Sequence, residues 1–330
     1  MLLTADVGGT HTRLATFRHA DGRPEKVRER TWPSSELNGL ASAVREYVGN
    51  EDTPPEGACL ALAGPVENGA VRFPNLGWEV HRDDLADAAG VASLTLLNDF
   101  DAIGHGVLLL HDGELMTLAE GTQVDGAPIG VVGAGTGLGV AYLDPSGDSP
   151  KVYSSEGGHT DFAPRDETGW GLARYLTQRY GRASWERVLS GRGLADIYRY
   201  LVSSGYAEEQ PSVRAEMHED DPAEVVSRHG LDHDDRLCER ALELFVSEYG
   251  ALAGNVSLML GARGGVFVAG GIAPKIREAL REGPFMTSFR EQGRMRDYVE
   301  KIPVRVVLSG DVGLLGAAAV AARAVDRNGR

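Results

Sequence analysis

The sequence predicts an α/β protein made of two related halves. Short apolar runs of strand length alternate with longer segments whose apolar residues recur at helical spacing, a pattern typical of α/β sheets. One arrangement occurs twice: residues 2–17 and residues 128–143 each contain two apolar runs joined by a glycine turn with a threonine. We interpret the two turns as the same hairpin in two halves of the chain.

The first half opens with this hairpin, in which Gly8 and Gly9 can take left-handed φ angles and bring backbone N–H groups close to a ligand. The segments after it predict, in order, a strand at 25–31, a helix at 36–47, strands at 58–63 and 71–73, a helix at 82–89 and a strand at 93–97. The last strand ends at Asn98-Asp99. Ligands of α/β sheets gather at the carboxyl ends of strands, so this pair is a candidate site.

The second half becomes largely helical after its own hairpin. Helices are predicted at 168–180, 184–189, 194–203 and 235–260, a strand, glycine turn and helix start at 264–274, a strand at 304–308 and a closing helix at 312–325. Residues 208–221 are acidic and contain few large apolar side chains, which predicts a solvated surface excursion. We expect Phe245 and Tyr249 of the long helix to lie in the core.

Composition narrows the class of protein. A chain of 330 residues has room for about two domains. Its 33 basic and 48 acidic residues give a net charge of −15, which argues against non-specific binding to nucleic acid or to anionic membranes. With no signal peptide or membrane-spanning stretch, we expect a cytoplasmic protein. The two cysteines, Cys59 and Cys238, are predicted to be buried free thiols.

Three glycine turns follow apolar strands, and their backbone N–H groups are suited to binding phosphates. They comprise Gly8 and Gly9, Gly135 to Gly139 with Thr136, and Gly270 and Gly271. The chain has no Gly-Lys-Ser/Thr motif, and Leu138 breaks the dinucleotide-binding pattern. No lysine lies in these turns, so phosphate charge would be met by Mg²⁺, backbone N–H groups, threonine hydroxyls and Arg13.

Several polar residues could bind ligands or move protons. Asp6 can hold a hydrated Mg²⁺, and Thr10, Thr12 and Arg13 add donors, although an ordinary glycine-rich hairpin explains the same pattern. Asp99 is a candidate general base for an alcohol, or else a helix cap shared with Asn98. Acidic and amide groups that accept from several hydroxyls suit a polyol ligand, and the candidates are Glu156, with His159 beside it in the sequence, and Glu186. Taken alone, His159 also fits a structural role.

Six motifs together resemble the bacterial glucokinases, over a stretch from about Leu3 to the C-terminal helix. They follow in the order Asp6-Val7-Gly8-Gly9-Thr10, Asn98-Asp99-Phe100, Gly133 to Gly139, Glu156-Gly157-Gly158-His159, Glu186 to Gly191 and Ala269-Gly270-Gly271-Ile272. His11 stands where these enzymes usually have asparagine. The cysteine-rich zinc motif of a related kinase and repressor family is absent.

This resemblance implies the actin-like ATPase, or ribonuclease H-like, fold of sugar kinases: a small α/β domain of residues 1–108 and 310–330, a large domain of residues 109–309, and a cleft between them. It implies phosphorylation of glucose at the 6-hydroxyl by MgATP, with Asp99 as the base. Sugar binding would fall to Asn98, Glu156, His159, Glu186 and, beside Trp78, Asn75. The phosphates and metal would be faced by Asp6, Gly8, Gly9, Thr10, Gly135, Thr136 and Gly137, and the adenosine by Gly270 and Gly271.

Two alternatives remain open at this stage. A kinase for another hexose or an N-acetylhexosamine would keep the phosphate residues and alter only the sugar pocket. A sugar-sensing regulator would bind the ligand without catalysis, but the sequence has no segment for a helix-turn-helix before its first strand. A homodimer is implied by the resemblance alone.

Overall fold

The computed structural model describes residues 1–20, 22–50, 53–64, 66–73, 75–147 and 150–328. It divides into two compact units. Unit 1 consists of Met1–His111 and the C-terminal segment that begins at Gly310, and unit 2 consists of Asp112–Ser309. The chain therefore enters unit 2 after His111 and returns to unit 1 after Ser309.

Strands and helices alternate along much of the chain. The strands are β1 (Leu2–Val7), β2 (His11–Arg18), β3 (Glu25–Pro33), β4 (Gly57–Leu62), β5 (Ala70–Phe73), β6 (Trp78–His81), β7 (Leu94–Asn98), β8 (Leu115–Ala119), β9 (Ile129–Ala134), β10 (Leu138–Asp144), β11 (Lys151–Ser155), β12 (Gly265–Ala269) and β13 (Val304–Val307). The helices are α1 (Leu40–Val48), α2 (Arg82–Ala89), α3 (Asp99–Val107), α4 (Glu167–Tyr180), α5 (Gly191–Ser203), α6 (Pro211–Glu219), α7 (Pro222–Asp232), α8 (Arg236–Leu260), α9 (Arg277–Glu282), α10 (Phe285–Arg290), α11 (Arg296–Val299) and α12 (Val312–Asn328).

Unit 1 is built on a five-stranded sheet with the order β3-β2-β1-β4-β7. The first three strands are antiparallel, whereas β4 and β7 run parallel to β1. Apolar side chains are buried on both faces: Leu14 and Tyr47 belong to one cluster, and Phe17 and Leu314 to another. Helix α12 packs on the second face. The C-terminal segment therefore completes the core of unit 1, to which the N-terminal strands also belong.

Unit 2 repeats this strand order. Its sheet runs β11-β10-β9-β12-β13-β8, with β9, β10 and β11 antiparallel and β12 and β13 parallel to β9. Strand β8 is an addition at the far edge, antiparallel to β13. The shared order in the described residues supports the interpretation of the chain as two related halves. In both units the first glycine turn joins the central strand to its antiparallel neighbour.

The long helix of unit 2 confirms the predicted core. The carboxylate of Asp235 accepts from the Cys238 N–H at 2.8 Å and starts α8, and Phe245 and Tyr249 on this helix are fully buried. Cys59 and Cys238 are buried free thiols, as predicted. No helix in the described part of the chain is long and apolar enough to cross a membrane.

Residues 208–221 lie mostly at the surface, as predicted, but the prediction did not include α6, which lies inside this segment, or α7, which follows it directly. Each helix has a proline in its first turn, where the missing N–H costs no hydrogen bond, and Val213 on α6 is buried. The side chain of Asp221 accepts from the Ala223 N–H and caps α7. One buried apolar residue anchors α6, which is too little to give a periodic signal in the sequence.

Three helix starts also differ from the prediction. The helix predicted at 36–47 begins only at Leu40, because Gly39 before it has a φ of 122°, which is incompatible with a helix. The segment at 184–189 forms a single 3₁₀ turn, Trp185–Arg187. After the third glycine turn the chain makes further turns and becomes helical only at Arg277.

Candidate active site

The first glycine turn, between β1 and β2, is open to solvent. The Gly8 N–H donates to the carbonyl of His11 at 2.9 Å, and Gly9 and Thr10 are exposed. Neither Gly8 nor Gly9 has a left-handed φ, so the turn does not use the conformation that glycine permits. The two glycines instead leave the backbone uncovered, since nothing lies within 4 Å of where a Gly9 side chain would begin.

Thr12 and Ser34 support this turn from inside unit 1. Both are fully buried, and their hydroxyl oxygens lie 3.0 Å apart. The Ser34 hydroxyl donates to the Gly8 carbonyl at 2.8 Å, and its N–H donates to the Thr10 carbonyl at 2.9 Å. Thr12 was expected to offer a donor to the ligand, but its hydroxyl is buried against Ser34 and stabilises the turn instead. Sequence reasoning missed Ser34, which lies 26 residues from Gly8.

Arg13 is held within a cluster of charges. Its guanidinium donates to Glu29 at 2.9 Å, to the Gly310 carbonyl at 2.6 Å and to Asp311, and Lys26 bonds to both of these acids. These bonds direct Arg13 toward the unit's own acids, whereas the sequence suggested phosphate. Burial tends to raise the pKa of the Glu29 and Asp311 carboxyls, but the bonds to the two cations outweigh it and lower both pKa values.

Asp6 lies at the end of β1, with its carboxylate 3.9 Å from the Arg13 guanidinium. Burial raises the pKa of Asp6, the charge of Arg13 opposes the rise, and the charge of Glu29 adds to it. The net effect is a raised pKa, because burial outweighs the opposing charge of Arg13. The Asp6 carboxylate offers the kind of oxygen donor that a hydrated Mg²⁺ prefers, since this ion keeps several of its waters.

Asn98 and Asp99 lie where β7 passes into α3. The Phe100 N–H is shared between Asn98 Oδ1 at 2.9 Å and Asp99 Oδ1 at 3.0 Å, so the expected capping role is present and is divided between them. The Asn98 amide also donates to the Gly64 carbonyl at 3.2 Å. Burial, and then the negative charge of Asp6, raise the pKa of Asp99 to about 6.

The parallel strands of unit 1 bring these groups to one edge of the sheet. Asp6 and Asn98 are the penultimate residue of β1 and the last residue of β7, and both strands pair with β4 in parallel. Asn75 is exposed in the turn between β5 and β6, which form a two-stranded sheet of their own.

The second and third glycine turns meet in unit 2. The Ile272 N–H donates to the Ala134 carbonyl at 3.1 Å, and the Gly135 N–H donates to the Gly137 carbonyl at 2.8 Å. Gly270 has a φ of +83°, and a side chain there would begin 2.4 Å from the Ala134 oxygen, so only glycine fits. Thr136 and Gly271 are exposed beside this junction.

Glu156, His159 and Glu186 are brought together in unit 2, although 30 residues separate the first from the last. His159 Nε2 lies 3.7 Å from Glu156 Oε2, and His159 Nδ1 lies 3.9 Å from Glu186 Oε1. The 3₁₀ turn that carries His159 packs directly on β10: a side chain at Gly158 would begin 2.1 Å from the Leu138 oxygen. A carboxylate–imidazole–carboxylate row of this kind can donate to and accept from neighbouring hydroxyls.

Two sheets with one strand order, each with a glycine turn after its central strand, define the actin-like ATPase fold of sugar kinases. A family model described as Glucokinase matches residues 3–324. Curated glucokinases from a Nostoc species and a Synechocystis species are 38% and 40% identical, and the matches cover 98% and 97% of this chain and 99% and 98% of those proteins. The chain belongs to the glucokinase family, which confirms the resemblance noted in its motifs.

Solved structures share this fold. A glucokinase from an Antarctic psychrotroph superimposes with a TM-score of 0.84 at 30% identity, with 98% of both chains covered. A glucokinase from Balamuthia mandrillaris, solved in complex with glucose, gives a TM-score of 0.78 at 20% identity and covers 97% of this chain and 93% of that one. The predicted fold is thereby confirmed.

Proposed function

We propose that Asp99 is the general base with which this enzyme transfers a phosphoryl group from ATP to the 6-hydroxyl of glucose, giving glucose 6-phosphate and ADP. The observation that carries the proposal is the environment of Asp99. With a pKa raised to about 6, its carboxylate is ionised at neutral pH and yet basic enough to accept a proton from an alcohol as that alcohol reacts.

The nucleotide is assigned to the three glycine turns. The phosphates would face Gly8, Gly9, Thr10, Gly135, Thr136 and Gly137, and the adenosine would lie near Gly270 and Gly271. Asp6 would hold Mg²⁺ through water, and the ion would supply positive charge that balances the phosphate oxygens. The uncovered backbone at Gly9 and the exposed Thr136 leave N–H and hydroxyl donors available to a ligand.

The sugar is assigned to side chains that both accept and donate hydrogen bonds. These are Asn98, Glu156, His159 and Glu186, with Asn75 at the sugar side. The close spacing of Glu156, His159 and Glu186 supports this assignment, because neighbouring hydroxyls on a hexose need acceptors and donors a few ångströms apart.

The reaction needs little covalent chemistry from the protein. Asp99 would remove the hydroxyl proton as the sugar oxygen attacks the γ-phosphorus, and N–H groups of the glycine turns would stabilise the charge on the transferred group. A cytoplasmic location, where ATP is supplied, and a homodimer, by family resemblance, complete the proposal.

A coupled assay of ADP release tests this function. MgATP is offered with glucose, fructose, mannose, galactose and N-acetylglucosamine in turn, to the wild type and to Asp99→Asn. We expect turnover largely confined to glucose and lost in the variant. Turnover mainly on another sugar would overturn the assignment of glucose, and sugar binding by the wild type without any turnover would favour a sensor.

A further inference from the structure

We propose that Glu186 is a positioning residue for the nucleotide turn as well as a sugar ligand, so that one side chain links the two substrates. The inference rests on the proposed function, which gives glucose to Glu156, His159 and Glu186 and the phosphates to Gly135–Gly137. All of these residues belong to unit 2.

The two oxygens of the Glu186 carboxylate face different parts of the site. Oε2 accepts a hydrogen bond from the Leu138 N–H at 3.1 Å, and Leu138 directly follows the glycine turn. Oε1 lies 3.9 Å from His159 Nδ1, on the side assigned to the sugar. If a ligand moves one oxygen of this carboxylate, the other oxygen therefore moves too and changes its contact with the second part of the site.

The space for this contact depends on Gly137. A side chain there would begin 2.6 Å from Glu186 Oε2, which is closer than real contacts allow, and would push the carboxylate away from Leu138. Gly137 does not have a left-handed φ, so its backbone conformation does not require glycine. Room for the Glu186 carboxylate is the reason that the structure gives for glycine at this position.

The main chain after Glu186 holds the same turn. The Gly191 N–H donates to the Gly135 carbonyl at 2.9 Å, and the Ser190 hydroxyl donates to the Glu186 carbonyl at 2.7 Å. The segment from Glu186 to Gly191 thus contacts the glycine turn at both of its ends. Such a rigid support fixes Glu186 relative to the backbone that would bind phosphate.

Glu156 provides a matched comparison. It also faces His159, but its side chain is 78% exposed, whereas that of Glu186 is 30% exposed and bonded to the turn. Removing Glu156 should therefore weaken only sugar binding. Removing Glu186 should weaken sugar and nucleotide binding, each by about tenfold, the effect expected from losing a hydrogen bond to a charged group.

Calorimetry with each ligand alone tests the link. Glucose and MgADP are titrated separately into the wild type, Glu156→Ala, Glu186→Ala, Glu186→Gln and Gly137→Ala. We expect Glu156→Ala to lose glucose affinity only, and Glu186→Ala to lose affinity for both ligands. Gly137→Ala changes the turn assigned to phosphate, but it should also bind glucose more weakly because the added methyl group displaces the Glu186 carboxylate. Gly113→Ala, with open space around the added methyl group, is the control for glycine replacement.

Glu186→Gln separates a specific effect from misfolding. Its amide oxygen can still accept a hydrogen bond from the Leu138 N–H, and only the second oxygen is replaced, by an NH2 group. It should bind MgADP within about twofold of the wild type and glucose more weakly. The link is overturned if Glu186→Ala binds MgADP as the wild type does. A wild type that binds no glucose would instead overturn the proposed function itself.

Discussion

The hydroxyl oxygen of Tyr249 accepts a hydrogen bond from the Ala134 N–H at 2.9 Å. It also lies 3.2 Å from the Ala269 carbonyl oxygen, to which it can donate. Ala134 ends β9 and Ala269 ends β12, so a fully buried side chain from α8 contacts the ends of both strands that lead into glycine turns.

Tyr249→Phe should therefore destabilise the protein and weaken nucleotide binding. The variant leaves the buried Ala134 N–H without its acceptor, which costs about 1–3 kcal/mol of unfolding free energy. Denaturant unfolding and the KM for ATP report the two effects. Tyr153→Phe, at an exposed position, is the control and should change neither. Unfolding free energies equal to the wild type in both variants would contradict the role given to the Tyr249 hydroxyl.

Glu248→Gln should stabilise the protein at alkaline pH. Glu248 is buried on α8, its Oε2 has no hydrogen-bond partner in the described residues, and burial raises its pKa to about 7 although Arg165 opposes the rise. Since the folded state disfavours the charged form, stability is lost as pH rises from about 4.5, the ordinary glutamate value, to about 7. Over this pH range the ionisation of Glu248 lowers the free energy of unfolding by about 3 kcal/mol.

The measurement is the unfolding free energy at pH 5 and pH 8. We expect the Glu248→Gln variant to gain most over the wild type at pH 8 and little at pH 5. Glu243→Gln, at an exposed position on the same helix, should show no such dependence. A Glu248→Gln variant that is less stable than the wild type at pH 8 would show that the carboxylate is stabilising when charged.

Arg13→Ala should cost more stability than an ordinary surface arginine. It would remove a charged hydrogen bond from Glu29, whose side chain is 22% exposed, and another from Asp311, at a cost of about 2 kcal/mol. Arg18→Ala is the control, since Arg18 and its partner Glu25 are each 63% exposed and such pairs contribute less than about 1 kcal/mol. Equal melting temperatures for the two variants would argue against the charge cluster as a structural element.

Most of the strands and helices that depend on local sequence patterns could be predicted. The strands of the first hairpin follow from its apolar runs, and the grouping of Glu156, His159 and Glu186 was predicted only as part of a motif set. The charge cluster around Arg13 was missed because Asp311 lies 298 residues away along the chain. No local spacing reports such a contact.

Other misses have equally specific causes. Tyr249 was correctly placed in the core, but an apolar stripe on a helix does not reveal which strand ends a buried hydroxyl will meet. Glycine permits a left-handed φ, but the first turn does not use that conformation at Gly8 or Gly9. At Gly270 the left-handed φ and the contact with Ala134 do make glycine necessary.

The ionisation of Asp99 should set the acid side of the pH profile. Its pKa is raised to about 6, mainly by burial, so kcat/KM should fall about tenfold for each pH unit below 6, where the base is protonated. Rates over pH 4.5–8, corrected for unfolding by circular dichroism, check this. A profile that stays flat to pH 5 would mean that Asp99 is not the titrating base.

The most direct test of the account is the Asp99→Asn variant, studied by kcat and by glucose binding on the same preparation. Asparagine keeps an oxygen that can accept from the Phe100 N–H, so the start of α3 should survive. We expect kcat to fall by at least about 100-fold, the usual effect of losing a general base, while the Kd for glucose changes little. If turnover persists near the wild-type rate, or if glucose binding is lost in parallel with turnover, Asp99 is not the base.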